Sequence, residues 1–540
     1  MRWRTLTILG LVALMGIVGW RSLASSPHEV LGRPAVSLDL TAPTREVGTI
    51  KLAGAGNEHL FFLVEVEGAS PSLQAALENR VDGFEGNFFQ VVTVPPQAVG
   101  TTPPDALLPL GDQYPGTGPD PLPLWVSLKI VPTCPPGTHT LNLIINDRGQ
   151  HIRLPLEVKV FRFVLPQDLP LTIFAGFWHQ PGIWPQFGVH GRDQEVRVIK
   201  SYYRSLRDYK VNALGGSYPL PLNRIHPGQR IEEFTTYHEL LRYALDELNF
   251  TYGQIPKLRG WQAAGQPESP FVRQAQIFYP CYQDYLRRHG WENRTLNYLI
   301  DEPRQHRYEA VVQAYAQAKS LLPQVKSLSA GWHPRPDFAR VIDIWTYQAA
   351  HFREDDQEQG RRQGQEAWLY ANRLHSIGHP LSHPRLIGWL LYRYQFSGYL
   401  LWGVNFWPRN PWTNALGPED YQRRGTFYYP HPQTGLPVPT IRLEALRRGF
   451  QDYQYFLLLD EASRRGLVSS EKQAALQARI RGFTENLPRN PFPVSMAELE
   501  EVRLEIGHLL DRTQDRPQVK ESLARGWSRG AAFTLFLSRR

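Results

Sequence analysis

The chain has 540 residues, 42% hydrophobic and 12% aromatic, which excludes a disordered protein and calls for two or three packed domains rather than one core. The net charge of +8 is carried by basic residues interleaved with acids, and no zinc-finger, P-loop or RNA-recognition pattern occurs, which argues against a nucleic-acid partner. Cys134 and Cys281 stand far apart and outside any Cys/His cluster, so neither a disulfide nor a metal centre is expected.

In chain order, Met1-Arg-Trp-Arg4 forms a basic start, Leu6–Trp20 an apolar run, and Ser22–Ser26 a small-residue cleavage region. This reads as an export signal over residues 1–26. The run is short for a bilayer span, so an uncleaved anchor is the second choice. No cysteine follows it to carry a lipid.

Residues 30–166 read as a β-sandwich. Leu60–Gly68 alternates in part, and Pro123–Pro132 sets Trp125, Ser127 and Lys129 against Val126, Leu128 and Ile130. Gly137–Pro166 holds two strand patterns around the turn sequence Asn146-Asp-Arg-Gly-Gln150. The Pro/Gly-rich stretch Pro95–Pro123 is expected to be a long loop.

From 167 to 466, short apolar runs alternate with helical segments. Strands are predicted at Leu171–Trp178, Val211–Ser217, Phe250–Pro256, Leu296–Pro303, Lys326–Pro334, Ile342–Gln348, Ala367–Arg373 and Gly398–Trp407. Helices are predicted near 194–209, 233–248, 270–289, 307–322, 384–396 and 440–466. Eight strands, most followed by a helix, predict a (β/α)8 barrel. Helical spacing continues through Leu476, Ile480 and Phe483, then Val502, Ile506 and Leu510, so 467–540 is expected to be a helical extension with an Arg-rich tail.

The fourth predicted strand, Leu-Asn-Tyr-Leu-Ile, runs straight into Asp301 and Glu302, then Pro303. In a barrel the chemistry gathers at the C-terminal strand ends. Neighbours on a regular strand face opposite sides, but Pro303 disfavours continuation of the ladder, so the chain can turn there and bring both acids to one cleft. Two close carboxylates disfavour joint ionisation, which suits one as a proton donor and the other as a stabiliser of positive charge in glycosidic cleavage. Separate catalytic carboxylates of retaining enzymes stand about 5–5.5 Å apart. Immediate neighbours suggest instead that the substrate's acetamido group is the nucleophile. The plain alternative is that Asp301 caps the following helix and Glu302 pairs with Arg304 or Arg307.

Strand ends also offer Trp332 and His333, Tyr347 and Gln348, Tyr370, and Trp402, Asn405 and Trp407 as candidate substrate-binding residues. Indole and phenol rings stack on flat sugar faces. Tyr347 or Asn405 could donate to an acetamide. Each aromatic could equally be packing, as could His333, and Asn212 reads better as structural. Arg442 and Glu444 are expected to pair, with a direct role for Glu444 in substrate binding as a further candidate.

Gly425–Leu459, "GTFYYPHPQTGLPVPTIRLEALRRGFQDYQYFLLL", resembles the C-terminal hallmark of the glycoside hydrolase 123 family and its DUF4091 relatives. Gly398–Trp412 resembles that family's last barrel strand, Leu299–Pro303 its Asp-Glu pair, and Pro123–Thr140 the end of its sandwich. The resemblance implies an exo-acting β-N-acetylgalactosaminidase that retains configuration, with Glu302 as general acid then base and Asp301 orienting the 2-acetamido group. It implies a glycan partner and no metal or organic cofactor. Gln451 and Gln454 replace two glutamates of the pattern, while Glu444 and Asp452 are kept. The alternative is a non-catalytic carbohydrate-binding or structural envelope protein on the same fold.

Overall fold

The computed structural model describes residues 35–40, 48–79, 82–93, 103–112, 121–414, 424–485 and 493–513. The predicted export segment and the Arg-rich tail lie outside them. Among the described residues no helix is long and apolar enough to cross a membrane.

The N-terminal strands are β1 (Val36–Asp39), β2 (Ile50–Gly56), β3 (Glu58–Glu67), β4 (Gln74–Glu78), β5 (Phe84–Thr93), β6 (Pro104–Pro109), β7 (Leu122–Ile130), β8 (Gly137–Asp147) and β9 (Gln150–Val164). They form two sheets, ordered β1-β3-β7-β5-β6 and β2-β9-β8-β4. Leu60, Phe62, Val64 and Val66 of β3 face the sandwich core. Phe61 and Leu63 pack outward on Trp125, Ile441 and Ala445. That second covered face explains why the alternation of β3 looked incomplete. The stretch predicted as a long loop contains the edge strand β6, which pairs with β5 from Phe89↔Pro109 to Thr93↔Pro104. Its prolines sit where an edge strand tolerates a missing donor.

Eight strands close into a parallel barrel: β10 (Thr172–Trp178), β11 (Ala213–Ser217), β12 (Tyr252–Gln254), β13 (Thr295–Asp301), β14 (Lys326–Gly331), β15 (Ile344–Gln348), β16 (Glu366–Tyr370) and β17 (Gly398–Leu401), with β17 returning to β10. The helices between them are α1 (Arg192–Asp208), α2 (Thr235–Arg242), α3 (Pro270–His289), α4 (Tyr308–Leu321), α5 (Glu354–Arg362) and α6 (Ser382–Arg393). Between β14 and β15 there is only a 3-10 turn, Pro336–Arg340. The interior is filled by Phe174, Ala213, Leu296, Tyr298, Leu328, Ala330, Ile344, Trp368, Tyr370 and Leu400. Trp368 occupies the space a side chain at residue 398 would need: a Cβ on Gly398 would lie 2.6 Å from the indole. The barrel is a packed core, and its mouth is where a ligand can bind.

After β17 come the short hairpin β18 (Tyr428–Pro430) and β19 (Pro437–Pro439), then α7 (Ile441–Arg464), α8 (Ser470–Thr484) and α9 (Met496–Thr513). Helix α7 is buried almost all round. It meets α6 backbone to backbone, since a Cβ on Gly388 would fall 1.8 Å from the Gly449 carbonyl oxygen. Its polar residues weld the domains together. Arg442 binds Asp105 of β6 through Nε at 2.6 Å and Nη2 at 2.8 Å, and the Tyr429 hydroxyl donates to the same carboxylate at 2.9 Å. Arg385 grips Asp452 at 2.7 and 3.1 Å, and Trp389 donates to it at 2.8 Å. Glu58 of β3 takes Arg448, Arg503 and the Tyr455 hydroxyl. Removing one partner of such a buried pair leaves an uncompensated charge, which costs far more than the pair itself contributes.

Candidate active site

Strand β13 does not keep a simple alternation. Leu296 and Tyr298 point into the barrel, whereas Leu299 and Ile300 both lie in the outer core between barrel and helices. The pairing with β14 steps from Asn297↔Ser327 to Ile300↔Ser329, so β13 carries one extra residue, a β-bulge. The backbone groups disturbed by the bulge are met from α4 and β14. The Ile300 N–H donates to the Tyr315 hydroxyl at 3.0 Å, that hydroxyl donates to the Leu328 carbonyl at 2.6 Å, and Ser329 donates to the Ile300 carbonyl at 2.9 Å. The bulge shifts the phase of the strand. Asp301 therefore turns to the side of Tyr298, whose hydroxyl donates to its Oδ1 at 2.6 Å.

The next residue bends further. Glu302 has φ +41°, a left-handed conformation that costs a non-glycine residue about 1–2 kcal/mol. Its N–H donates to the Ala330 carbonyl at 2.9 Å, which holds the bend. Its Oε1 accepts from the Gln348 amide at 3.4 Å. The residue is exposed at the mouth, and its carboxyl is partly enclosed. Burial, and then the charge of Asp301, raise its pKa above the ordinary glutamate value. Tyr370 enters from β16 and is close enough to feel both acids; burial and the Asp301 charge keep its phenol protonated. Lys257, in the loop after β12, holds its Nζ 3.8 Å from the centre of the Tyr298 ring. The two adjacent acids thus have different surroundings: a phenol and a cation beside Asp301, a neutral amide beside Glu302.

Exposed tryptophans mark the rim. Trp332 is 55% exposed beyond β14, its ring 5.2 Å from His351. Trp178 is 44% exposed at the end of β10, on the opposite side of the barrel. It meets Trp402 and Phe406 edge to face at 6.5 and 5.2 Å. Trp402 also lies over the barrel interior. Of the predicted residues, Asp301, Glu302, Gln348, Tyr370, Trp402 and Trp332 therefore stand at the barrel mouth.

The others do not face the acids. Tyr347 points outward from β15, packs on Phe352 and Phe396, and donates to the Asp356 carbonyl at 3.0 Å. Its neighbour Gln348 is the inward residue, as period-two geometry requires. His333 turns to α5, with Nδ1 2.8 Å from Asp356 Oδ2. Asn405 is buried and has both amide atoms engaged with the Trp178 backbone at 2.8 Å, so it sets the tryptophan rather than a substrate. Trp407 is buried against Trp184 and donates to the Tyr428 carbonyl at 2.8 Å. Glu444 accepts from the Tyr209 hydroxyl at 2.7 Å and pairs with Arg447, while Arg442 pairs with Asp105; the expected Arg442–Glu444 pair does not form. Asn212 bonds the Ile173 N–H and Leu171 carbonyl at 2.8 Å, at the start of the strands and away from the mouth. Gln454 donates to the Pro166 carbonyl at 2.7 Å, a bond a glutamate could not make.

Sequence reasoning missed Lys257, Tyr298 and Trp178. Trp178 ends a predicted strand and could have been found by that position. Lys257 and Tyr298 had no such signal. Among the described residues no group of three or more His, Cys, Asp or Glu is placed to hold a metal ion.

A parallel eight-stranded barrel with two adjacent carboxylates and exposed indoles at its mouth has the architecture of a glycoside hydrolase. Residues 248–459 match the glycoside hydrolase 123 catalytic domain. Among solved structures, a family 123 glycoside hydrolase from Clostridium perfringens, described for its hydrolysis of glycolipid glycans, superposes with TM-score 0.62 at 13% identity, covering 86% of this chain and 94% of that one. An endo-beta-1,4-mannanase from Thermotoga petrophila matches at TM-score 0.35 and 12% identity over 53% of this chain and 77% of its own. None of the curated proteins matches the sequence.

Proposed function

We propose that this protein is an exported, retaining glycosidase that removes terminal β-linked N-acetylhexosamine, N-acetylgalactosamine foremost, by substrate-assisted catalysis. The observation that carries the reading is the unequal setting of two neighbouring acids. Glu302, with its pKa raised by burial and by Asp301, is suited to deliver a proton to the leaving glycosidic oxygen. As the C1–O bond breaks, the carbonyl oxygen of the 2-acetamido group attacks C1 and forms an oxazolinium ion. Asp301, fixed by Tyr298, accepts the acetamide N–H and balances the positive charge. Glu302, now ionised, takes a proton from water, which opens the oxazolinium ring with net retention. In this reading Tyr370 donates to the acetamide, and Trp402 and Trp178 stack on the sugar. The N-terminal segment outside the described residues would direct export.

The test is a panel of aryl β-glycosides. The 2-acetamido-2-deoxygalactoside should be cleaved and the plain galactoside should not. Glu302→Gln should lower kcat by roughly 10²–10⁴-fold. Equal cleavage of the plain galactoside would exclude acetamido participation, and undiminished turnover by the variant would remove Glu302 from the chemistry.

A further inference from the structure

Two adjacent carboxyl groups start chemically alike, and something in the site must decide which carries the proton. The loop after β12 supplies a candidate. The Ile255 N–H donates to the Leu296 carbonyl at 3.0 Å, which continues the β12–β13 ladder by one residue. Ile255 and Leu258 are both buried in the core around the barrel. Lys257 is held between these anchors, with Pro256 limiting the backbone before it. Its stem carries the ammonium onto the face of the Tyr298 ring, 3.8 Å from its centre. Among the described residues no carboxylate lies within ion-pair distance of it. The far end of the same ring carries the hydroxyl that donates to Asp301 at 2.6 Å.

From this chain of contacts we infer that Lys257 is a positioning residue of the acid pair, acting on Asp301 through the Tyr298 ring and thereby leaving the proton to Glu302. This rests on the glycosidase reading for its catalytic meaning but not for its physics. A cation over the ring face favours negative charge on the phenol oxygen and makes the hydroxyl a stronger donor. It also places a positive charge on the Asp301 side of the pair, where Glu302 has only the Gln348 amide. Burial lowers the Lys257 pKa and the charge of Asp301 opposes that fall, so the two groups already sense one another. The titratable groups around them are Tyr298 and Asp301 from β13, Glu302 just beyond it, Tyr315 from α4 and Tyr370 from β16.

The coupling is reciprocal and can be read from the lysine without any substrate. Acylation of Lys257 against pH, followed by peptide mass spectrometry, should show its midpoint falling in Asp301→Asn. Below the midpoint this means about 3- to 10-fold faster labelling, the effect of a loss of up to one unit of support from a nearby opposite charge. Unchanged labelling in that variant would overturn the inference. On the aryl N-acetylgalactosaminide, Lys257→Met should move the acidic limb of kcat/KM to higher pH, and Lys257→Arg should restore it. A uniform loss at every pH, with the limb unmoved, would mean Lys257 only packs and would also overturn the inference. If the wild-type enzyme cleaves no N-acetylhexosaminide, the glycosidase reading fails, while the labelling experiment still decides the coupling.

Discussion

Tyr298→Phe isolates one hydrogen bond in the site. The substitution keeps the ring, its packing in the barrel interior and the surface on which Lys257 rests, and deletes the hydroxyl 2.6 Å from Asp301 Oδ1. A hydrogen bond to an ionised acceptor contributes about 1.5–3 kcal/mol. At about 1.4 kcal/mol per tenfold, full dependence of Asp301 on this bond predicts a loss of about 10- to 150-fold in kcat/KM. Asp301 is open to the cleft, so water can replace part of the bond, and the lower end of the range, about 10- to 30-fold, is expected. The assay is steady-state hydrolysis of the aryl N-acetylgalactosaminide across pH, with circular dichroism to confirm the fold. The loss should fall mainly on kcat, because the charge that Asp301 balances develops in the transition state. A variant within twofold of the wild type throughout the profile would refute the assignment of Tyr298 as the residue that fixes Asp301.

Asp301→Asn should shift the alkaline limb of the residual kcat/KM to lower pH, because the Asp301 charge is one cause of the raised Glu302 pKa; a limb that stays or rises contradicts that coupling. Glu302→Gly should abolish turnover yet stabilise the fold at neutral pH by up to about 1 kcal/mol, net of the extra chain entropy of glycine, seen as a higher melting temperature, since φ +41° suits glycine. The gain should shrink towards pH 4. An acid with a raised folded pKa is protonated in the folded state and ionised in the unfolded one, so stability declines as pH climbs from the unfolded value through the folded one. Calorimetry that finds the glycine variant less stable at pH 7 would dismiss the strain. Asp105→Asn leaves the buried Arg442 guanidinium without its counter-charge and should cost about 3–5 kcal/mol in urea unfolding; a loss below about 1 kcal/mol would show that the pair does not hold sandwich and barrel together.

Much of the architecture was legible because it is written in local periodicity. The eight barrel strands, the helices α1, α3, α4, α6 and α7 and the hairpin β8–β9 follow from alternation, helical spacing and turn residues. Elements whose faces are all covered were harder to read. Strand β6 hides among prolines because an edge strand tolerates them, and the polar residues of α7 gave no sign of their partners: Arg442 pairs with Asp105 of the sandwich and Glu444 with Arg447 and Tyr209, not with each other. Tyr347 and Gln348 show the limit of the method at the site. The residue pair was located at a strand end, but which of the two faces inward depends on the phase of β15 in the closed barrel.

The sequence by itself determined that two acids stand at the end of the fourth barrel strand, because a short apolar run that breaks into Asp-Glu-Pro reads as a buried strand ending there. Only the tertiary structure decided that both acids meet at the same mouth and that they differ. The bulge that reorients Asp301 is stabilised by Tyr315 from α4 and Ser329 from β14, and the cation over Tyr298 comes from the loop after β12. These partners are remote in sequence, so their effect exists only once the barrel closes and brings neighbouring strands into register.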